Sequence, residues 1–129
     1  MSTEKYTRWS PLADVPTDLV CEALHDDHEG VRVLLRTDET PERILRISFE
    51  AAVCYRNTNE SYRLRTWSRH VGKNMGGLFQ VGKSAWLLSV KAESGGVLDG
   101  KELVHYAIFT GEDCIEFISE FPPDVEWLG

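Results

Sequence analysis

The chain has 129 residues and a mass of 14.7 kDa, with a formal net charge of −7, 42% hydrophobic and 27% charged residues. Those values describe one folded domain, residues 1–129, with apolar material for a single core and too little bias for a disordered chain. No apolar run approaches the roughly 20 residues of a membrane helix, and a pI near 5.0 weighs against a nucleic-acid partner, whose phosphates call for a net basic surface.

In chain order, the opening MSTEKYTRWSPL lacks the apolar centre of a secretory signal, so a cytoplasmic protein is expected. Leu19–His25 reads as a strand, followed by the polar turn Asp26–Gly30. Val31–Arg36 alternates, with Val31, Val33 and Leu35 on one face. After the connector Thr37–Glu42 comes the clearest strand, Ile44–Tyr55, which sets Leu45, Ile47, Phe49, Ala51 and Val53 against Arg46, Ser48 and Glu50. Asn57–Ser61 is a turn, and Tyr62–Val71 fits strand and helix about equally well. Gly72–Gly77, with three glycines, is a flexible loop.

Leu78–Val81 is a short strand, and Ser84 is placed to cap a short helix over Ala85–Ala92. Leu103–Phe109 is apolar on both faces, the mark of a central strand. Thr110–Asp113 turns the chain, after which Ile115, Phe117 and Phe121 face inward and Glu116 and Glu120 outward. Pro122-Pro123 ends that strand, because proline cannot donate to a ladder. The sum is a mainly β protein (α+β being the variant): a curled antiparallel sheet or sandwich of about six strands with one or two short helices.

Charge runs in blocks. Residues 14–42 carry −7, residues 43–91 carry +7 and residues 92–129 carry −8, with +1 from residues 1–13. Two accounts are open: the blocks pair with one another across strands, or they present one-signed faces to a partner. The three cysteines, Cys21, Cys54 and Cys114, are odd in number and widely spaced, and all lie in apolar stretches. They read as reduced, core-packed thiols.

Motifs for chemistry are few. Gly77–Ser84 spells G-x-x-x-x-G-K-S, but a phosphate-binding loop follows a buried strand, whereas here the intervening Leu78-Phe79-Gln80-Val81 is itself strand-like. It reads as a chance match. His25–Glu29 gathers five possible metal ligands within one turn, yet a metal needs donors that converge from several directions, so a polar turn is favoured. His105 could pair with Cys54 or Cys114 as base and nucleophile, although nothing in the spacing supports it over a buried, hydrogen-bonded histidine. No catalytic set, cofactor or metal site is expected. The tail Asp124–Leu128 either docks back onto the sheet or offers Trp127 to another chain.

Several short blocks occur together: Ile47-x-Phe49, Tyr55-Arg56 and Glu60; Leu78-Phe79-x-Val81 with Ser84-Ala85-Trp86-Leu87; and His105-Tyr106-Ala107-Ile108, Ile115-Glu116-Phe117-Ile118 and Pro122-Pro123. Over residues 19–123 their order resembles small, acidic, mainly-β bacterial proteins, some of which look like immunity proteins encoded beside polymorphic or contact-dependent toxins. The resemblance implies a non-enzymatic protein that binds a cognate toxin domain and carries no catalytic residues over.

Three functions follow as expectations. The first is an immunity-type binding module, monomer or homodimer, whose acidic turns meet a basic toxin such as a nuclease through Asp26, Asp27, Glu29, Asp38, Glu39, Glu112 and Asp113. The alternative is a small-ligand protein or enzyme with a pocket inside the curled sheet, lined by His105, Tyr106, Cys54 and Arg56. The third is a scaffold that associates through a strand edge or the Trp127 tail.

Overall fold

A computed structural model describes residues 4–129. Among them nine strands form two antiparallel sheets. Their ranges are β1 Lys5–Arg8, β2 Leu19–Asp27, β3 Gly30–Thr37, β4 Ile44–Phe49, β5 Ala52–Asn59, β6 Gly77–Gly82, β7 Val104–Phe109, β8 Asp113–Ser119 and β9 Asp124–Leu128. One sheet has the order β1-β6-β7-β8-β5 and the other β2-β3-β4-β9. A turn of 3-10 helix at Glu60–Tyr62 leads into α1 (Leu64–Ser68), and α2 (Ala85–Glu93) joins β6 to β7. None of these helices is long and apolar enough to cross a membrane.

Alternation of side chains along the strands builds the core. Val33, Leu35, Leu45, Ile47 and Phe49 from the four-stranded sheet meet Leu78, Tyr106, Ile108, Ile115 and Phe117 from the five-stranded one. Phe49 stacks on Phe117 with ring centroids 4.3 Å apart, joining the two layers. The five-stranded sheet is also covered on its other side. There Phe79, Val81, Ala107, Phe109 and Cys114 are buried under Tyr6, Trp67 and Met75. That outer layer makes β7 apolar on both faces, as its sequence predicts.

Four expectations change. Ile44–Tyr55 is not one strand: the chain breaks at Glu50 and Ala51 and crosses from one sheet to the other. Two exposed residues make that corner. A register shift between Ala52 and Cys54 then leaves Val53 unpaired and 37% exposed instead of facing the core. Phe121 lies beyond the end of β8 and is 63% exposed rather than inward. Glu116 does leave the space between the sheets, but it is fully buried beneath the outer layer. Of the thiols, only Cys114 is buried; Cys21 and Cys54 are partly exposed, and all are free.

The tail docks. It forms β9, paired with β4 from Ile44↔Leu128 to Ser48↔Asp124, and Trp127 lies under the Arg43 guanidinium at 4.0 Å. The glycine-rich segment is tied to β1, since Arg8 donates to the carbonyls of Gly76 (2.9 Å) and Asn74 (2.7 Å). Gly76 has a steric reason to be glycine there: a Cβ would sit 2.8 Å from the Thr17 carbonyl oxygen.

Candidate functional site

The seven predicted contact residues divide between the two ends of β3. At the β2–β3 tip, Asp27 accepts from Arg32 at 2.8 Å and Glu29 lies 3.3 Å from the same guanidinium. The hydrogen bonds from Arg32 and from the Glu29 amide pull the Asp27 carboxyl down to about 2. Asp26 accepts from the Tyr55 hydroxyl at 2.9 Å. The expected five-ligand turn is therefore a hairpin tip whose acids are largely engaged. At the other end Glu39 pairs with Arg43 at 3.2 Å. Much of the block charge is in fact cross-strand or local pairing, as with Arg36 between Glu22 and Glu42, and Arg46 with Glu126.

Asp38, Glu112 and Asp113 behave differently. Asp38 and Asp18 line a depression of about 400 Å³, and Glu112 and Asp113 line an adjoining one of about 240 Å³. Val20, Thr110 and Gly111 belong to both, and Val20 is 39% exposed. Among the described residues none of these four carboxylates is in an ion pair.

A second constellation lies on the outer face of the five-stranded sheet. Glu116 on β8 receives His105 Nε2 on one oxygen at 2.8 Å, and Arg56 Nε (2.8 Å) and Arg63 Nη1 (2.7 Å) on the other. Burial works to raise the Glu116 carboxyl. The hydrogen bonds from His105 and Arg56, with the Arg56 and Arg63 charges, outweigh it and hold the group down at about 2. His105 Nδ1 is 2.7 Å from Ser84 Oγ, which also accepts the Leu87 amide at 3.0 Å as the cap of α2.

Hydrogen-bond roles close only one way in the neutral ring: Nε2–H donates to Glu116 and the Ser84 hydroxyl donates to Nδ1. Trp86 meets the His105 ring edge to face at 5.0 Å, and Arg56 lies over the same indole at 4.3 Å. Arg56, Ser84, Trp86, His105 and Glu116 come from four short blocks of the sequence and meet here.

The row Ser84–His105–Glu116 has the residue types and hydrogen-bond order of a nucleophile, base and orienter, but it lies beneath the surface. Ser84 is 5% exposed and lines none of the surface depressions described here, and its hydroxyl is held by His105 and by the Leu87 amide it caps. The G-x-x-x-x-G-K-S match is β6 followed by a two-residue connection, Lys83 (φ 54°) and the cap Ser84, into α2, not a glycine-rich loop. No group of residues suited to hold a metal ion occurs among the described residues.

The expected inner pocket is corrected too. Tyr106 packs in the apolar core, whereas His105 and Arg56 meet on the opposite side of the sheet. The polar space is outside. A cavity of about 500 Å³ over Glu116 is lined by Arg56, Arg63, Arg65, Arg69 and Trp86, and a neighbouring one of about 600 Å³ by Lys5, Arg8, Lys73 and Lys83. Glu4 and Arg69 line both.

Glu116 and Arg63 were not singled out in the sequence because strict alternation sends Glu116 to solvent with Glu120. One signal was there: a β7 that is apolar on both faces requires a cover, and the cover extends over β8.

Fold and site together define a two-sheet β protein with an open acidic end and a cationic outer face. Comparisons with protein-family models, with curated proteins and with solved structures found no match to this chain.

Proposed function

We propose that this protein is a non-enzymatic binding module that holds a basic partner protein at its acidic end, in the manner of an immunity-type inhibitor of a secreted bacterial toxin. One observation carries it. Asp18, Asp38, Glu112 and Asp113, free of internal ion pairs among the described residues, surround two adjoining depressions with the exposed Val20 between them. An apolar centre inside a polar rim is the anatomy of a protein interface. Carboxylates without an internal partner keep their full field for steering a basic partner. A nuclease-type toxin fits because the surface that holds phosphate is basic. Such an inhibitor works in the cytoplasm of the cell that makes the toxin.

The seven residues expected from sequence thereby reduce to Asp38, Glu112 and Asp113, joined by Asp18. Asp27, Glu29 and Glu39 already face arginines of their own chain. The test is a pull-down with tagged protein from its native cells at about 0.15 M salt, beside a variant with all four rim acids changed to lysine. A stoichiometric basic protein with a toxin-like domain should come down with the wild type and not with the variant. Recovery by both, or by neither, would sink the proposal. Reversal of Asp27 and Glu29 should leave recovery unchanged.

A further inference from the structure

Four arginines line the 500 Å³ cavity; Glu116 beneath accepts from two of them, and Glu4 lines its side. Arg56 uses only its Nε, and Arg63 only its Nε and Nη1, in hydrogen bonds among the described residues. Their remaining N–H groups are left to donate. Glu116 is fully buried and fixes both side chains, so these donors are pre-positioned rather than waving in solvent. Arg65 and Arg69, at the rim, are exposed and make no ion pair among the described residues.

A carboxylate already occupies the edge of this site. Glu4 accepts the Ala85 amide at 3.0 Å, at the first turn of the nine-residue helix α2. An internal anion thus sits where the arginine cluster and the helix start meet. Glu4 also stands at the boundary with the 600 Å³ cavity, since it lines both. Arg69 lines both cavities as well, so what favours a ligand confined to one cavity over a polymer spanning both is the Glu4 carboxylate, which repels a polyanion at that junction. The volume suits a molecule of nucleotide size, and Trp86 with Tyr62, itself 81% exposed, offers aromatic surface beside the arginines. Forked guanidinium donors match phosphate oxygens in pairs.

We infer that this cavity binds a small phosphate-bearing anion of nucleotide size, with Arg56 and Arg63 as its fixed donors and Arg65 and Arg69 as its rim. The site shares no lining residue with the acidic end, so each proposal stands or falls alone.

The test is calorimetric titration of the full chain at about 0.05 M salt with inorganic pyrophosphate, with ATP and with a short single-stranded oligonucleotide. ATP and pyrophosphate should bind at one site. ATP tighter than inorganic tripolyphosphate, titrated alongside, assigns part of the affinity to the aromatic pair, and equal affinities assign it to phosphate alone. Arg65→Glu with Arg69→Glu, both at exposed positions, should weaken binding by about tenfold or more. Glu4→Gln should tighten it by about threefold, because it removes the competing carboxylate. Absence of binding by both phosphates, or unchanged affinity in the arginine variant, overturns the inference. An oligonucleotide that binds several-fold tighter than ATP overturns it in favour of a nucleic-acid groove.

Discussion

Glu116 is a fully buried carboxylate that stays ionised because His105, Arg56 and Arg63 reach it together. Its folded pKa of about 2 lies below the ordinary 4.5. As pH falls, the unfolded chain therefore takes up the proton first. The stabilisation is complete above about 4.5 and is lost between there and about 2. Glu116→Gln should destabilise the protein at pH 7 by roughly 3 kcal/mol, since two arginines lose their counter-charge. Urea melts of both proteins between pH 7 and pH 3 should show the gap narrowing as pH falls; a constant gap would mean the carboxylate is not held ionised. Tyr6 presents the opposite case. Its hydroxyl is buried with no hydrogen-bond partner among the described residues, and burial, with Glu4 and Glu116 nearby, pushes it up to about 12. Tyr6→Phe removes an unsatisfied group and keeps the ring contacts with His70, Phe79 and Phe109, so it should stabilise by about 1 kcal/mol in the same melts.

Among the elements, the hairpins and the central strands were legible in the sequence, and the first strand and the corner between the sheets were not. β2, β3, β7 and β8 follow from alternation and short polar turns, and Ser84 caps α2 as its position suggests. The corner at Glu50 and Ala51 was hidden because apolar residues keep the same spacing through it. Only the pairing of β5 with β8 reveals the change of sheet. β1 was not expected, since Lys5–Arg8 carries charges at both ends and only Tyr6 faces inward. The docked tail settles which of its two readings holds in the folded chain. Val125 and Trp127 pack against the main core, so Trp127→Ala should cost about 2–3 kcal/mol. A thermal melt indistinguishable from the wild type would show that β9 contributes little.

Across the whole molecule, the charge blocks of the sequence resolve into two kinds. Most acids of the four-stranded sheet pair with arginines of that same sheet, and such exposed pairs contribute little each. Beyond those pairs stand an acidic end, where Asp18, Asp38, Glu112 and Asp113 make no ion pair among the described residues, and an arginine-rich face over Glu116. Linear charge counts registered the excess but not its location, because pairing depends on strand order. The four-lysine rim variant should therefore lose partner association chiefly in its rate, with the deficit shrinking as salt rises. Stopped-flow traces at two ionic strengths check it, and a deficit independent of salt would point to lost contacts rather than lost steering.

The strand order also governs how the protein is made. β1 pairs with β6, β5 with β8, and β4 with β9, so each sheet joins segments far apart in the chain. While the ribosome is still adding residues beyond 104, β5 has no neighbour and β4 offers a bare edge to solvent. Folding to the finished sandwich must wait for the last strands to be released, and until then the nascent chain is a natural client for chaperones.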